Sequence, residues 1–346
     1  MSRIKYGIVG SSGIARRRAM PAFSICQHSS LAGVCSRSMQ RATALAEQFG
    51  ATRAYDDLGM MLAHVDAVYV ATPVHCHLED ARKILAAGKH LLLEKPLART
   101  VAEAREILAL VAPGTFAMEG YMMKFHPAHA EIRKAVQAGS IGSVVQARAR
   151  LGCWYPDIPG AWRQCPELAG GGALLDVGSH LVDLLRWILG PIRSIRALCN
   201  TQVFSYAVED SATAILEFET GAHGIVEAYF AMPDRLGTGV LELTGTQGKI
   251  IAENTIGQNG SGNVQWEFFP PQSAYEARQE AISPCERRET TEYPLTDLYA
   301  AQFDYFSTCI TNRTAPHLNS LIEGIDTLSW IQRAYKSLPD EATVSV

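Results

Sequence analysis

Ile4-Lys5-Tyr6-Gly7-Ile8-Val9-Gly10-Ser11-Ser12-Gly13-Ile14-Ala15 is the stretch on which the fold turns. Ile4 to Val9 is a short apolar run that ends in Gly10, and Gly13 to Ser24 can continue as a helix. Strand, turn, helix is one βα unit, and the unit repeats. Leu31 to Cys35 is a second apolar run, followed by Met39 to Phe49, where Ala42, Leu45, Ala46 and Phe49 recur at helical spacing. Asp66 to Ala71 is apolar without alternation, as a parallel strand covered on both faces would be, and a helix is predicted from His77 to Ala87. His90 to Leu93, a helix from about Val101 to Val111 and a last run, Thr115 to Met118, complete the series. Repeated βα units pair in parallel through right-handed crossovers, so this region reads as a doubly wound Rossmann sheet.

Beyond it the pattern changes. A helix from about Pro127 to Gln137 leads to Ser143 to Leu151, and then Ile192 to Cys199, Thr213 to Phe218, Gly224 to Phe230 and Val240 to Thr244 follow, separated by turns such as Gly221 and Gly245. Strands in series without intervening helices predict an α+β region with a large, open, mostly antiparallel sheet, one face on helices and the other available to a partner subunit. Thr255 to Gly262 and Pro270 to Pro284 read as loops, and Leu298 to Thr311 and Leu318 to Ser337 as terminal helices. The predicted domains are residues 1–122 and 123–346.

The composition sets limits on this plan. The 346 residues are long enough for two cores. With 47% hydrophobic and 19% charged residues the chain is not disordered, and 31 Lys+Arg against 35 Asp+Glu, net -4, lacks the basic excess of a nucleic-acid binder. Met1 to Gly10 has no apolar signal core, and no apolar run approaches the roughly 18 residues that span a bilayer, so a soluble, cytoplasmic protein is expected, with no membrane partner. Eight cysteines stand singly, without metal-type spacing, and read as reduced thiols; no metal is expected.

The first chemical signal is the turn after the first strand. Gly10, Ser11, Ser12, Gly13, Ile14 and Ala15 stand where backbone must approach a pyrophosphate and where free N–H groups at a helix start favour an anion. The usual fingerprint is G-x-G-x-x-G/A, and Ser12 occupies the second glycine position. A glycine turn serving only helix–sheet packing is the other reading. Ser36, Arg37 and Arg41 follow the second strand, where a carboxylate would select NAD; these residues instead favour the 2′-phosphate of NADP, with NAD possible. Solvated helix-face arginines without selectivity are the alternative. Thr72 and Pro73 open a later strand end and His77 starts the next helix, while Glu94 and Lys95, followed by Pro96, leave another strand end at the crevice edge.

GGGALLDVGSHLVDLLRWILG, residues 170–190, places Asp176, His180 and Asp183 at i, i+4 and i+7 behind three glycines that permit close backbone approach. An imidazole with a carboxylate one turn away suits proton transfer near neutral pH, although an ordinary surface Asp–His pair has the same spacing.

Taken in order, GIVGSSGIA, DAVYVATPVHCH, AGKHLLLEKPLA, GYMMKFHPA and the glycine-rich helix closely resemble the Gfo/Idh/MocA family, named for glucose-fructose oxidoreductase and inositol dehydrogenase. The resemblance runs from residue 4 to about 250 and more faintly to the terminal helix. It implies that Lys95, Asp176 and His180 line the nicotinamide crevice, with His180 as general acid/base, Lys95 as the electrostatic and orienting group, and Asp176 as the partner that positions His180 or Lys95; Lys95 and His180 can exchange these roles. Lys124, in Tyr121 to Phe125, stands where the family often has Arg, and with Tyr121 is a candidate for gripping substrate. Trp154, Tyr155, Trp162 and Arg163, in a loop rich in Pro and Gly, suit a sugar face and an anionic group; a hydrophobic plug is the alternative. The implied activity is an NAD(P)-dependent dehydrogenase or reductase of a sugar, sugar derivative or cyclitol in a homodimer or homotetramer. A lyase or glycosidase that oxidises its sugar transiently on bound NAD, and a non-catalytic redox sensor, are the alternatives.

Overall fold

A computed structural model describes residues 3–11, 13–237, 239–258, 260–272 and 285–338. Six strands form the first sheet: β1 (Ile4–Val9), β2 (Ser29–Cys35), β3 (Arg53–Tyr55), β4 (Ala67–Val70), β5 (His90–Leu93) and β6 (Ala117–Glu119). Every pairing is parallel and the order is β3-β2-β1-β4-β5-β6, the dinucleotide-binding order with its switch point between β1 and β4. β4 is buried at all four residues and β5 at three of four, which is why these runs do not alternate in sequence. The helices end on local chemistry. Ser38 caps Met39–Phe49 by accepting from the Arg41 N–H, Thr100 caps Val101–Ala109 through Glu103, and Gly50 closes the former in the left-handed region at φ 70°.

Where a single helix from Gly13 to Ser24 was expected, Ala15–Ala19 is a π turn leading into a short α segment, Met20–Ala22. β3 is three residues long, too short to register as a period in sequence.

The second sheet has eight strands: β7 (Val144–Gly152), β8 (Ile192–Asn200), β9 (Ser211–Phe218), β10 (His223–Tyr229), β11 (Val240–Gly245), β12 (Gly248–Glu253), β13 (Gly262–Phe268) and β14 (Arg287–Tyr293). Their order is β14-β13-β12-β11-β7-β10-β9-β8, antiparallel throughout except for β10 beside β7. One face is core: Ala147, Ala149, Leu216, Val226, Leu241, Leu243 and Ile250 are buried. On the other, Leu198 is 62% and Ile215 60% exposed. The sequence reading found β7 to β11 and missed β12, β13 and β14. β14 is Arg-Arg-Glu-Thr-Thr-Glu-Tyr, an edge strand with five of its seven residues exposed and hence no apolar alternation. Much of the expected loop Pro270 to Pro284 lies outside the described residues.

The described chain divides into two compact units: one drawn from Met1–Met122, Ala161–Gly170 and Asp297–Ser329, the other from Met123–Gly160, Gly171–Thr296 and Trp330–Val346. Two later segments, Ala161–Gly170 and Asp297–Ser329, belong to the first unit. Phe303, from the Leu298–Asn312 helix, shows why. It is fully buried, with its ring 5.2 Å from Tyr6, 5.2 Å from Tyr69 and 4.4 Å from Phe23. Asp304 on that helix accepts from the backbone N–H groups of Gln27 and His28 and from Ser29 Oγ.

One sequence expectation needs correction. Pro166–Leu189 is a helical stretch of 24 residues, long and apolar enough by composition to cross a membrane. Its most apolar window is 78% buried within the protein, so that apolarity serves the core.

Candidate active site

In the first unit the turn after β1 is built for close approach. Gly10 has φ +102°, and a β-carbon there would lie 2.7 Å from the Ala71 carbonyl carbon and 2.9 Å from the Thr72 nitrogen. No other residue fits between the ends of β1 and β4. Ser11 gathers the end of β2: Ser36 Oγ donates to Ser11 Oγ at 3.3 Å and Arg41 Nη1 at 3.5 Å. Arg37 is exposed, and its charge acts on Cys76 in the turn after β4. Ile14 precedes the π turn and Ala15 is buried. Gly13 is exposed, and a β-carbon there would meet the Arg17 guanidinium, while Ser12 lies outside the described residues. The cradle at Gly10 and the polar set Ser11, Ser36 and Arg41 therefore fit the pyrophosphate and adenosine ribose of a dinucleotide. The neighbourhood is not purely cationic, because burial and the charges of Asp57, Asp80 and Asp56 push the Cys35 thiol up to about 11.

The next strand ends are brought together by residues facing inward. His77 was expected to touch cofactor; it is buried, with Nε2 3.1 Å from the Thr72 carbonyl and Nδ1 3.3 Å from that of Leu97. It brackets the turn after β4 to the turn after β5, and burial pushes it down to about 4, so the ring is neutral. Thr72 Oγ1 donates to Asp80 Oδ2 at 2.7 Å, and Pro73 precedes the Val74–Cys76 turn. Glu94 is also turned inward: Tyr69 donates its hydroxyl to Oε1 and the Lys95 N–H donates to Oε2 at 3.2 Å. Burial raises this carboxyl, opposed by the Tyr69 hydroxyl and the charges of Lys95 and Arg163. Lys95 itself is partly exposed, and the Lys95–Pro96 peptide is cis. The Arg163 guanidinium lies 4.3 Å over Trp162, whose ring stands 6.3 Å from His75. Tyr121 is buried and its carbonyl accepts from Asn319 Nδ2 at 2.8 Å.

In the second unit, Asp176 lies in the π turn Leu174–Gly178, and His180, buried, in the helix Ser179–Leu189. A π turn repeats more widely than 3.6 residues, so the face read from α-helical spacing is rotated between these two positions. Lys124, expected to grip substrate, is held in a buried ion pair. Its Nζ is 2.9 Å from Asp183 Oδ1, with the side chains 1% and 3% exposed, and Arg186 Nη2 is 3.6 Å from the same oxygen. The expected aromatic loop is divided. Trp162 and Arg163 belong to the first unit, Trp154 and Tyr155 to the second. There Trp154 is 45% exposed with its ring 4.9 Å from Phe204, and Tyr155 packs 5.3 Å from Phe230 and accepts from the Tyr206 hydroxyl.

Close approach at the three glycines is made by protein. Gly170 backs on Arg99, Gly171 on the Tyr335 hydroxyl and Gly172 on Glu209. Glu209 and Tyr335 carry no motif and were not read from the sequence. No group of three or more His, Cys, Asp or Glu among the described residues forms a metal site.

Residues 4–114 match the family model described as an oxidoreductase family with NAD-binding Rossmann fold, and residues 129–278 match the GFO/IDH/MocA C-terminal domain. D-xylose 1-dehydrogenase (NADP(+)) 2 of Haloferax volcanii is 30% identical over 305 residues, 84% of this chain and 91% of that protein. The 1,5-anhydro-D-fructose reductase of Ensifer adhaerens is 29% identical over 265 residues, 75% of this chain and 79% of that protein. Among solved structures, aldose-aldose oxidoreductase of Caulobacter crescentus, complexed with glycerol, superposes with a TM-score of 0.83 at 26% identity, covering 97% of both chains. The chain belongs to the Gfo/Idh/MocA family of oxidoreductases.

Proposed function

We propose that this family member transfers hydride between a nicotinamide cofactor, NADP in preference to NAD, and a hydroxyl or keto carbon of a sugar, sugar derivative or cyclitol. The single observation that carries the reading is the cradle of Gly10 closed on Ala71 and Thr72, with Ser36 and Arg41 both bonded to Ser11. Arg41, in the first turn of its helix, offers a charge-assisted donor to a 2′-phosphate, and no acid stands among Cys35, Ser36, Arg37 and Ser38 to accept from a bare ribose. Relatives named as an NADP(+) xylose dehydrogenase and an anhydrofructose reductase support the sugar class.

Bound nicotinamide supplies the hydride acceptor or donor. The remaining work falls to the chain. Oxidation of a hydroxyl-bearing carbon requires its O–H proton to leave as hydride departs, and reduction reverses both. A ring nitrogen of His180 takes or returns that proton, Lys95 Nζ stabilises the developing alkoxide, and Asp176 fixes their orientation. Residues 1–122 hold the cofactor, while 123–346 supply His180 and present the open sheet face to a second copy. Trp162 with Arg163, and Trp154 with Tyr155, take sugar faces and anionic substituents.

The test is a panel of D-xylose, 1,5-anhydro-D-fructose, levoglucosan and myo-inositol with each cofactor in its appropriate redox state. Net change in reduced nicotinamide absorbance, strictly dependent on added NADP, is expected for at least one of them. Turnover without added cofactor and without net absorbance change would instead assign a transient oxidation on resident NAD.

A further inference from the structure

In the second unit, Glu209 lies two residues before β9 and reaches the start of the helical segment that carries Asp176 and His180. Its Oε2 accepts the Gly172 N–H and its Oε1 the Leu174 N–H, both at 2.9 Å, and its own backbone carbonyl accepts the Ala173 N–H at 3.0 Å. Three consecutive donors at a helix start are thus satisfied by one residue. Tyr335, from the terminal helix Leu321–Lys336, donates its hydroxyl to the same Oε1 at 2.6 Å.

The hydrogen bonds continue toward the chemistry. Gly172 gives its N–H to Glu209 while its carbonyl accepts the Asp176 N–H at 2.9 Å, and the Asp176 carbonyl accepts Ser179 Oγ at 3.4 Å. The glycines make this possible. A β-carbon on Gly172 would collide with the Glu209 carbonyl and lie 2.8 Å from Oε2, and one on Gly171 would collide with the Tyr335 hydroxyl. A negative carboxylate on an N-terminus opposes the helix dipole favourably, and it fills the place an anionic ligand would otherwise take.

We propose that Glu209, braced by Tyr335, is a positioning residue for the reaction: through the Gly172 and Leu174 N–H groups it fixes the phase of the Leu174–Gly178 π turn and thereby the placement of Asp176 and His180. Gly171 and Gly172 serve this contact. The proposal rests on the reading of Asp176 and His180 as reaction residues. Displacement of a reacting group by about 1 Å costs on the order of 100-fold in rate, so loss of one of the two amide contacts, with the side chain still in place, is expected to cost about tenfold.

The experiment uses the full chain with NADP and the substrate it turns over in the panel above, comparing E209Q, Y335F and H180A with wild type. For E209Q we expect kcat per folded chain, counted by stoichiometric cofactor binding, to fall about tenfold with KM within about twofold, and for Y335F a smaller fall of the same kind. Hydrogen exchange should speed up in peptides covering residues 172–180. A helix cap of purely structural importance would lower the melting temperature and leave kcat and KM per folded chain unchanged, and that result in E209Q, with H180A inactive, overturns the proposal. If E209Q fails to fold, Y335F decides alone, because it keeps the carboxylate: unchanged kcat overturns the proposal and a lowered kcat at constant KM supports it. Full activity in H180A would overturn the underlying reading of the helix itself.

Discussion

Lys124 Nζ lies 2.9 Å from Asp183 Oδ1 in the interior of the second unit, one turn beyond His180 on the same helix. With exposures of 1% and 3%, neither charge is relieved by solvent. Removing one partner strands the other. K124A or D183N should therefore destabilise the chain by about 3–5 kcal/mol, read as a drop in urea midpoint, whereas the apolar pair K124M/D183L should recover most of that loss. A D183N variant as stable as wild type would show that the buried Lys124 charge does not depend on Asp183.

Cofactor choice is expected to follow the end of β2. S36D places a carboxylate where the 2′-phosphate would sit and should lower NADP affinity by about one to two powers of ten while leaving NAD little changed. Because Arg41 reaches Ser11, R41A should weaken NADP more than NAD, and more than R37A does. Fluorescence titration of the four proteins with both cofactors reads this directly, and equal weakening of the two cofactors would remove β2 as the selector.

For the reaction itself, K95A and H180A should each lose turnover by about 100-fold or more while binding NADP as wild type does, since neither residue belongs to the Gly10 turn. Isothermal titration and steady-state rates separate the two effects. Retention of a tenth of the wild-type rate in either variant contradicts its assigned role.

Acid stability should be governed in part by two buried histidines. Burial pushes His77 down to about 4 and His129, held between the Met123 carbonyl and Thr255 Oγ1, to about 3, against 6.5 in the unfolded chain. Unfolded imidazoles take up protons first, so stability is full above pH 6.5 and falls as pH drops toward 4, His77 contributing roughly 3 kcal/mol to that loss. H77Q should flatten the curve of urea midpoint against pH between those limits. An unchanged slope would place the acid sensitivity elsewhere.

The exposed face of the second sheet is expected to pair copies of the chain. Leu198 and Ile215 sit on neighbouring strands, β8 and β9, with Arg148 bonded to Glu227 farther across the same face. L198E/I215E should convert a dimer or tetramer to monomer by light scattering at micromolar protein. A monomeric wild type would contradict the assignment.

By itself the sequence determined five of the six strands of the first sheet, all but the three-residue β3, and the five strands β7 to β11, because buried parallel strands are continuous apolar runs and half-buried ones alternate, and both patterns are local. It likewise marked Gly10, whose positive φ no other residue tolerates at that crowded crossing, and the Glu94-Lys95-Pro96 strand end. Edge strand β14 left no pattern, since an edge in water needs no apolar face. What only the tertiary structure decided is which partner each polar group meets across long stretches of chain: Lys124 with Asp183, His77 between the carbonyls of Thr72 and Leu97, Glu209 and Tyr335 at the three glycines, Phe303 on Tyr6. Periodicity records whether a side chain faces inward. It does not record what it finds there, because hydrogen bonds and ion pairs between distant residues are set by the packing of whole elements and leave no spacing in the chain.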